Sequence, residues 1–128
     1  MINRDIYTNA LALLSQNISG NETTDFEERA PYILANFCRE VFEIDNILRG
    51  VLGLAVQGDF SNVILDLDTD FPLLDRFAAV AAKYLAAMLV IDENSELSDK
   101  LYDMYCDGIA TIQSAIPSVI EKITDKYN

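Results

Sequence analysis

The chain has 128 residues, nine of them basic and 21 acidic, so its formal net charge is −12. It contains no histidine, and 51% of its residues are hydrophobic, which is enough to build the core of one domain and argues against intrinsic disorder. The charge disfavours binding to DNA or RNA, and the missing histidine removes the commonest general base and metal ligand. We therefore expect neither a nucleic-acid-binding protein nor an enzyme.

The N-terminal residues lack the basic start and the apolar stretch of a signal peptide. The most hydrophobic stretch, 77–91, is too short to span a bilayer, which needs about 20 residues. Cys38 and Cys106 lie far apart in the chain among apolar neighbours, and we predict that both are reduced, small core side chains. We therefore expect a cytoplasmic protein that does not enter a membrane.

The first part of the chain predicts two amphipathic helices. Over 3–16 the apolar residues recur at helical spacing, with Asn3 as the N-cap, and they are Ile6, Ala10, Leu13 and Leu14. Residues 24–27 have the form of a capping box, which predicts the start of a second helix over about 25–48. Pro31 lies inside this pattern, so we predict a kinked or broken helix.

The chain changes character from 49 to 71, where glycines end the helical pattern. Two short β-prone runs, 51–56 and 62–67, flank residues 57–59, so this region is compatible with a short β-hairpin. A connection of this length inside a compact domain is usually functional or mobile. We predict an extended arm over 49–71.

The second part of the chain predicts two more helices. The helix over 72–91 is rich in alanine and apolar nearly all round, so we predict that it is central and the most buried. Ser95 is the predicted N-cap of the last long helix, whose predicted buried residues are Leu97, Leu101, Met104, Tyr105, Ile109 and Ile112. Pro117 kinks or ends this helix, and 117–128 is predicted to be a short C-terminal helix or tail.

Together these elements predict one all-α domain over residues 1–128. Its architecture is a compact bundle of four to five helices with one long arm. No internal repeat or low-complexity tract occurs in the sequence.

The last helix has four acidic residues, three or four positions apart, that lie along one face: Glu96, Asp99, Asp103 and Asp107. We call them the acidic stripe. Only Lys100 offsets their charge, and like charges at this spacing destabilise a helix. The acidic stripe is therefore either a solvated face, or a surface that repels DNA or meets a basic surface on a partner.

Two acidic patterns resemble metal-binding motifs without completing them. Residues 66–70 resemble the opening of a calcium loop, but the chain lacks the glycine and the final glutamate that an EF-hand needs. The pairs within 40–43 and 96–99 resemble a fragment of the all-α nucleotide pyrophosphohydrolases. Arg39 stands where that pattern has its leading glutamate, and the gap between the two pairs is too long. We expect no catalytic site, no metal and no cofactor.

The layout of the chain resembles a known family in its helix order and at a few positions. These positions are Tyr7 to Leu14 in the first helix, 25–42 in the second, 65–73 after the arm, and 84–87 in the alanine-rich helix. With the acidic final helix, they make the chain similar to the small helical head–tail connector (adaptor or neck) proteins of tailed bacteriophages and prophages, which dock beneath the portal. The resemblance covers most of residues 4–115.

The resemblance implies a structural protein that assembles as a homo-oligomeric ring and extends the portal channel through which DNA passes. It implies a docking arm over 49–71 that contacts neighbouring subunits, the portal or the next neck protein. The apolar candidates in this arm are Val51, Leu54, Phe60, Val63 and Leu65. It also implies a tail after Pro117 that orders on assembly, and an acidic stripe that lines the channel, where negative charge lets DNA slide. Such a protein is cytoplasmic in the bacterial host, and part of the virion if a phage encodes it.

The main alternative is a small acidic regulatory or inhibitory module, such as a DNA mimic that occupies the phosphate site of a nucleic-acid enzyme. It would use the same acidic faces to bind a basic protein, with an affinity that falls steeply as salt rises. A connector would instead bury apolar surface in its subunit contacts. An enzyme that uses Mg²⁺ is a third and weaker hypothesis.

Overall fold

The structure, a computed structural model, describes residues 1–14 and 23–127, with side chains described over 1–14 and 25–116. In these ranges there are four α-helices, one 3₁₀ turn and no β-strand, which confirms the all-α prediction. The elements in chain order are α1 (Asn3–Leu14), α2 (Thr23–Val51), the 3₁₀ turn (Asp75–Phe77), α3 (Ala78–Leu89) and α4 (Ser95–Tyr127).

Helix α2 runs through Pro31 as one continuous helix, so the predicted break does not occur. A proline inside a helix removes one backbone hydrogen bond, but buried apolar residues before and after it can offset that loss. Phe26 and Leu34 lie on either side of Pro31, and both are fully buried. The proline carbonyl also accepts a hydrogen bond from the backbone N–H of Leu65, 3.0 Å away. Tertiary contacts therefore hold the helix together where its sequence is weakest.

Helix α3 lies at the centre of the structure, in contact with each of the other three helices, which confirms the prediction for the alanine-rich segment. It begins later than predicted, because residues 75–77 form the 3₁₀ turn. Nine of its twelve residues are buried: Ala78, Val80, Ala81, Ala82, Tyr84, Leu85, Ala86, Ala87 and Leu89. Among the described residues, no helix is both long enough and apolar enough to cross a membrane.

Helix α4 begins at Ser95, and its N-cap is Asn94, not Ser95 as predicted. The Asn94 Oδ1 atom accepts the backbone N–H of Leu97 at 3.0 Å. Met104, predicted to be buried, is exposed because it lies on the same helix face as Lys100, one turn earlier. The helix continues past Pro117. The side chains of 117–128 lie outside the described residues, so the tail that orders on assembly stays a prediction.

The contact between α3 and α4 is close because Gly108 faces Val80. A Cβ atom at position 108 would overlap with the Cγ1 atom of Val80. One turn from the start of α4, the buried Ser98 hydroxyl donates a hydrogen bond to the Ala87 carbonyl at 2.9 Å. Gly108 is therefore required by the packing of the two helices, although glycine weakens a helix in isolation.

The connection between α2 and the 3₁₀ turn is not a single extended arm. Residues 49–51 belong to α2, and no hairpin forms in the described chain, where one isolated β-bridge joins Ile2 to Asp70. Residues 52–64, here called the exposed segment, lie on the surface. Residues 65–74, here called the anchored loop, place four apolar side chains in the core: Leu65, Leu67, Phe71 and Leu73.

The N-terminus holds one end of the anchored loop. The backbone N–H groups of Asn3 and Arg4 donate to the carbonyls of Thr69 and Leu67 at 2.9 and 2.7 Å. Asn3, predicted to cap α1, is fully buried and donates from its side-chain amide to the Asp66 carbonyl at 2.9 Å. At the start of α1, it is the Asp5 carboxylate that accepts the N–H of Ile2.

The buried carboxylate of Asp45 holds the other end of the anchored loop. Asp45, on α2, is fully buried and accepts a hydrogen bond from Arg49 Nε at 2.7 Å and from the backbone N–H of Leu74 at 2.9 Å. The Gln57 side chain donates to the same carboxylate at 3.2 Å and to the Pro72 carbonyl at 2.6 Å. A buried charge is tolerated only when it is paired and hydrogen-bonded, and Asp45 meets both conditions.

Candidate interaction surfaces

The acidic stripe is an exposed face of α4. All four of its carboxylates are exposed, whereas the opposite face of the helix, at Ser98, Leu101 and Tyr105, is buried. Within the part of the chain whose side chains are described, none of the four carboxylates takes part in an ion pair. The structure thus brings these residues together as the spacing predicts, and their role stays a prediction.

The five apolar candidates for docking do not share one environment. Leu54 is 48% exposed and Val63 is 66% exposed, whereas Val51 and Phe60 are half-buried. Phe60 packs against Phe42 of α2, with ring centroids 6.3 Å apart. Leu65 is only 5% exposed and belongs to the core, so in this conformation it is not available to a partner.

The exposed segment presents more apolar side chains than the sequence singled out. Leu52, Val56 and Ile64 are also exposed, and so is Ile47 near the end of α2. The first three lie in the two β-prone runs, so the signal was present in the sequence. Alternation did not reveal which side chains face solvent, because the segment forms no strand among the described residues.

Two polar clamps fix the path of the exposed segment. The Asn46 side chain on α2 forms a pair of 2.9 Å hydrogen bonds with the backbone N–H and carbonyl of Gln57. Farther along, the Arg39 guanidinium donates to the Asn62 carbonyl. The exposed apolar side chains therefore lie on a backbone that is attached to α2 at Gln57 and at Asn62.

A cleft of about 590 Å³ lies between α2 and α3, and sequence reasoning missed it. We call it the arginine cleft, because Arg29 and Arg39 line it together with apolar and amide side chains. The other described lining residues are Tyr32, Ile33, Asn36, Tyr84, Met88 and Ile91. Tyr32 and Ile91 are exposed at its edges, which gives the cleft apolar walls between two cationic groups.

The two arginines of the cleft differ in how their charge is compensated. Arg29 forms an ion pair with Asp25 at 3.2 Å and donates to the carbonyls of Met88 and Leu89 at the end of α3, where a cation is favoured. Arg39 donates only to neutral oxygens, and no carboxylate among the described side chains lies within ion-pair distance of it. Among the described side chains, Arg39 is therefore the arginine of the cleft that takes part in no ion pair.

Aromatic side chains form the floor of the arginine cleft. The Tyr84 hydroxyl accepts a hydrogen bond from the Asn36 side chain, and the Tyr84 ring lies 5.0 Å from that of Tyr105 on α4. Burial raises the pKa of both tyrosines above the ordinary value, and Glu40, which accepts the Tyr105 hydroxyl at 3.2 Å, raises it further. Both hydroxyls therefore stay neutral at physiological pH, and the negative charge beside them is that of the Glu40 carboxylate.

Three of the acidic residues that resembled metal-binding motifs have other partners: Asp66, Asp68 and Glu40. The Asp66 Oδ1 atom accepts the backbone N–H of Asp68 at 2.8 Å, and Asp68 forms an ion pair with Arg4 at 2.8 Å. Glu40 accepts the Tyr105 hydroxyl. In the described parts of the chain, no group of three or more His, Cys, Asp or Glu side chains is placed to hold a metal ion.

The two cysteines lie in different environments. Cys38 is fully buried on α2, as predicted, and burial raises the pKa of its thiol to about 12. Cys106 is exposed, so its prediction as a core residue was wrong. It lies next to the acidic stripe, between Asp103 and Asp107 in the chain, on the solvent side of α4.

Comparison with models of known protein families, with curated protein sequences and with solved structures found no match for this chain.

Proposed function

We propose that the protein is a structural component of a tailed bacteriophage or prophage, a head–tail connector that assembles as a ring beneath the portal and extends the DNA channel. The observation that supports this function best is the exposed segment, with five large apolar side chains in solvent: Leu52, Leu54, Val56, Val63 and Ile64. Several large apolar side chains exposed within one short segment make that segment a candidate for a protein–protein contact.

The energetics favour assembly through this segment. Each Å² of apolar surface removed from water contributes about 25 cal/mol, so a subunit that covers these side chains gains stability. The segment is also held at Gln57 and Asn62 by the two clamps on α2. A surface that is already held in place loses less conformational entropy on binding than a free loop.

The overall charge supports a position near DNA. A ring multiplies the charge of −12 by the number of its copies. A channel with such a field repels the phosphate backbone, so that DNA passes without binding. In this proposal the protein surrounds the DNA path and repels the DNA through its negative charge, and it catalyses no reaction.

The test is the absolute mass of the purified protein in solution, alone and with the portal protein encoded by the same genome. We expect one discrete species many times the subunit mass of 14.3 kDa. A monomer at every concentration, with and without the portal, would contradict the proposal.

A variant with Val56→Asp and Val63→Asp sharpens this test. Both side chains are exposed, so the substitutions should leave the circular dichroism spectrum unchanged while they weaken assembly at least tenfold. Leu13→Asp is the matched control, because Leu13 is an exposed apolar residue on α1, away from the exposed segment. Equal loss of assembly in the control, or none in the double variant, would count against a contact through this segment.

The alternative, an acidic module that mimics DNA, is favoured by one observation, the acidic stripe without ion pairs among the described residues. A mimic would displace duplex DNA from a basic DNA-binding protein, and its affinity would fall steeply as salt rises. A protein that does this and remains a monomer supports the alternative, whereas a ring that leaves the DNA bound supports the connector.

A further inference from the structure

Copies of a protein with a charge of −12 repel one another, so self-association needs a surface where the charge is locally reversed. Arg4 and Arg49 do not supply it, because each is already paired with a carboxylate of its own chain, and Arg29 of the arginine cleft is likewise paired with Asp25. The arginine cleft brings two other cations to one face of α2, and Arg39 has no carboxylate within ion-pair distance among the described side chains. The cleft is therefore suited to an acidic occupant.

The spacing of the cations matches that of the acidic stripe. Arg29 and Arg39 are ten residues apart on a continuous helix, which corresponds to about 15 Å at 1.5 Å per residue. Glu96 and Asp107 are eleven residues apart on α4, which corresponds to about 16 Å. A second helix laid along the cleft can therefore place carboxylates near both arginines.

The apolar parts of the two surfaces are also compatible. Tyr32 and Ile91 are exposed at the edges of the arginine cleft, and Met104 is exposed beside the acidic stripe. Burying these three side chains between the charged pairs removes water from the contact and strengthens the ion pairs within it.

The two surfaces lie on different parts of one molecule. The described lining of the cleft comes from α2, α3 and the turn after α3, while the stripe is on the outer face of α4, whose inner face packs on α3. The stripe cannot reach the cleft of its own chain. A contact between them therefore joins two copies, and when it is made head to tail with a rotation that closes, it generates a ring.

We infer that the arginine cleft of one subunit is the docking site for the acidic stripe of the next, so that α4 of each copy lies along the cleft of its neighbour. The inference rests on the proposed function, since it names the contact that would join subunits in the ring. It assigns the stripe to the subunit interface and not to the wall of the channel. Arginine and carboxylate form paired, charge-assisted hydrogen bonds, which fix the angle between neighbouring subunits.

Charge reversal tests the inference. Arg39→Glu and Asp103→Arg, made one at a time, should each raise the protein concentration needed for assembly about tenfold or more, measured by mass photometry alone and with the portal. The variant with both substitutions should assemble at a clearly lower concentration than either single variant, because the new carboxylate in the cleft of one copy would then face the new guanidinium on α4 of the next. Recovery should be incomplete, since the hydrogen bond from Arg39 to the Asn62 carbonyl stays lost. Asp103 takes part in no ion pair among the described residues, so its replacement should leave the fold intact.

Arg76→Glu is the matched control, because Arg76 is exposed in the 3₁₀ turn and does not line the cleft. It changes the net charge as much as Arg39→Glu does and should leave assembly unchanged. If the control impairs assembly equally, or if the variant with both substitutions assembles no better than the single variants, the pairing is wrong. If Asp103→Arg assembles normally while the wild-type protein forms a ring, the inference fails and the connector proposal stands. A wild-type protein that forms no ring contradicts the proposed function itself.

Discussion

The exposed segment and the anchored loop are consecutive stretches of one connection, similarly rich in apolar residues, yet their side chains lie in opposite environments. The anchored loop buries four large apolar side chains, and the exposed segment leaves five in solvent. The loop has backbone hydrogen bonds to Met1, Asn3 and Arg4 and to the Asp45 carboxylate. The segment has backbone hydrogen bonds to Leu48 and Arg49 at the end of α2, and beyond these it is attached through Asn46, Arg39 and the Gln57 side chain.

The difference shows what determines burial in a part of the chain without periodic structure. Apolar content alone does not decide it, because both stretches contain leucine and other large apolar side chains. The anchored loop is buried because the N-terminus and α2 supply partners for its backbone polar groups, which must be satisfied when a loop enters the core. In the exposed segment, the backbone partners within the described chain belong to 52–54, Gln57 and Asn62, and the stretches between them remain at the surface.

Replacing the buried carboxylate should have the largest effect on this contrast. Asp45→Ala leaves the half-buried Arg49 guanidinium without its partner and the Leu74 N–H without its acceptor, so we expect a loss of about 4 kcal/mol in the free energy of unfolding. Urea denaturation followed by circular dichroism measures it. Glu43→Ala, at an exposed position on the same helix, should stay within about 0.5 kcal/mol of the wild-type protein. Equal stability of the two variants would refute the anchoring role.

A pair of identical substitutions compares the two stretches directly. Leu67→Ala removes a side chain that is 5% exposed, and we expect a loss of about 3 kcal/mol through lost burial and the cavity left behind. Leu54→Ala removes one that is 48% exposed, and the free energy of unfolding should change by less than about 0.5 kcal/mol. Thermal and urea unfolding of both variants measure these losses. A similar loss of unfolding free energy in both would contradict the difference in burial between the anchored loop and the exposed segment.

Two glycines extend the comparison to helices. Gly108→Ala should destabilise the protein by about 2 kcal/mol, because the new Cβ overlaps with Val80 and overpacking costs more than the gain in helix propensity. Gly50→Ala, at the end of α2, has open space around it and should be neutral or stabilising by up to about 1 kcal/mol. We therefore expect the melting temperature to fall in Gly108→Ala and to stay the same or rise in Gly50→Ala, and calorimetry can measure both. A stabilising Gly108→Ala would mean that α3 and α4 approach less closely.

The smallest effect concerns the ion pair at the start of the anchored loop. Arg4 holds the pKa of Asp68 below its ordinary value of 3.8. A carboxyl group with a lowered pKa in the folded state contributes stability above the unfolded value, and this contribution is lost as pH falls through the lower pKa. Carbon NMR titration should therefore show the pKa of Asp68 rising toward 3.8 in Arg4→Gln, and no change in Arg76→Gln. The stability difference between wild-type protein and Arg4→Gln should shrink below about pH 4.

Periodicity made the helices predictable. The alanine-rich stretch is apolar nearly all round, which only a central helix such as α3 can bury, and the carboxylate spacing placed the acidic stripe on one face of α4. The break predicted as one alternative at Pro31 does not occur, because buried residues on either side of the proline stabilise the continuous helix. Asn94 and Ser95 are both good caps, and the sequence alone did not distinguish them.

The arginine cleft had no signal in a single sequence. Arg29 and Arg39 are on α2, whereas Met88 and Ile91 lie some 50 or more positions later, and nothing in either stretch states which faces meet. The different burial of the exposed segment and the anchored loop was unpredictable for the same reason, because it depends on contacts between distant parts of the chain. Its anchors, Asn3 and Asp45, come from other elements, and their side chains become partners only once the helices have packed.

The unequal burial of the two cysteines makes the chain a ready reporter of its own contacts. Thiolates are the reactive species, so Cys38, buried and with a pKa of about 12, should resist maleimide at neutral pH, whereas Cys106 is accessible. A fluorophore attached to the natural protein would therefore occupy one position, within a few residues of the acidic stripe. Its anisotropy and quenching would report whether that face of α4 is free or covered, without any engineered labelling site.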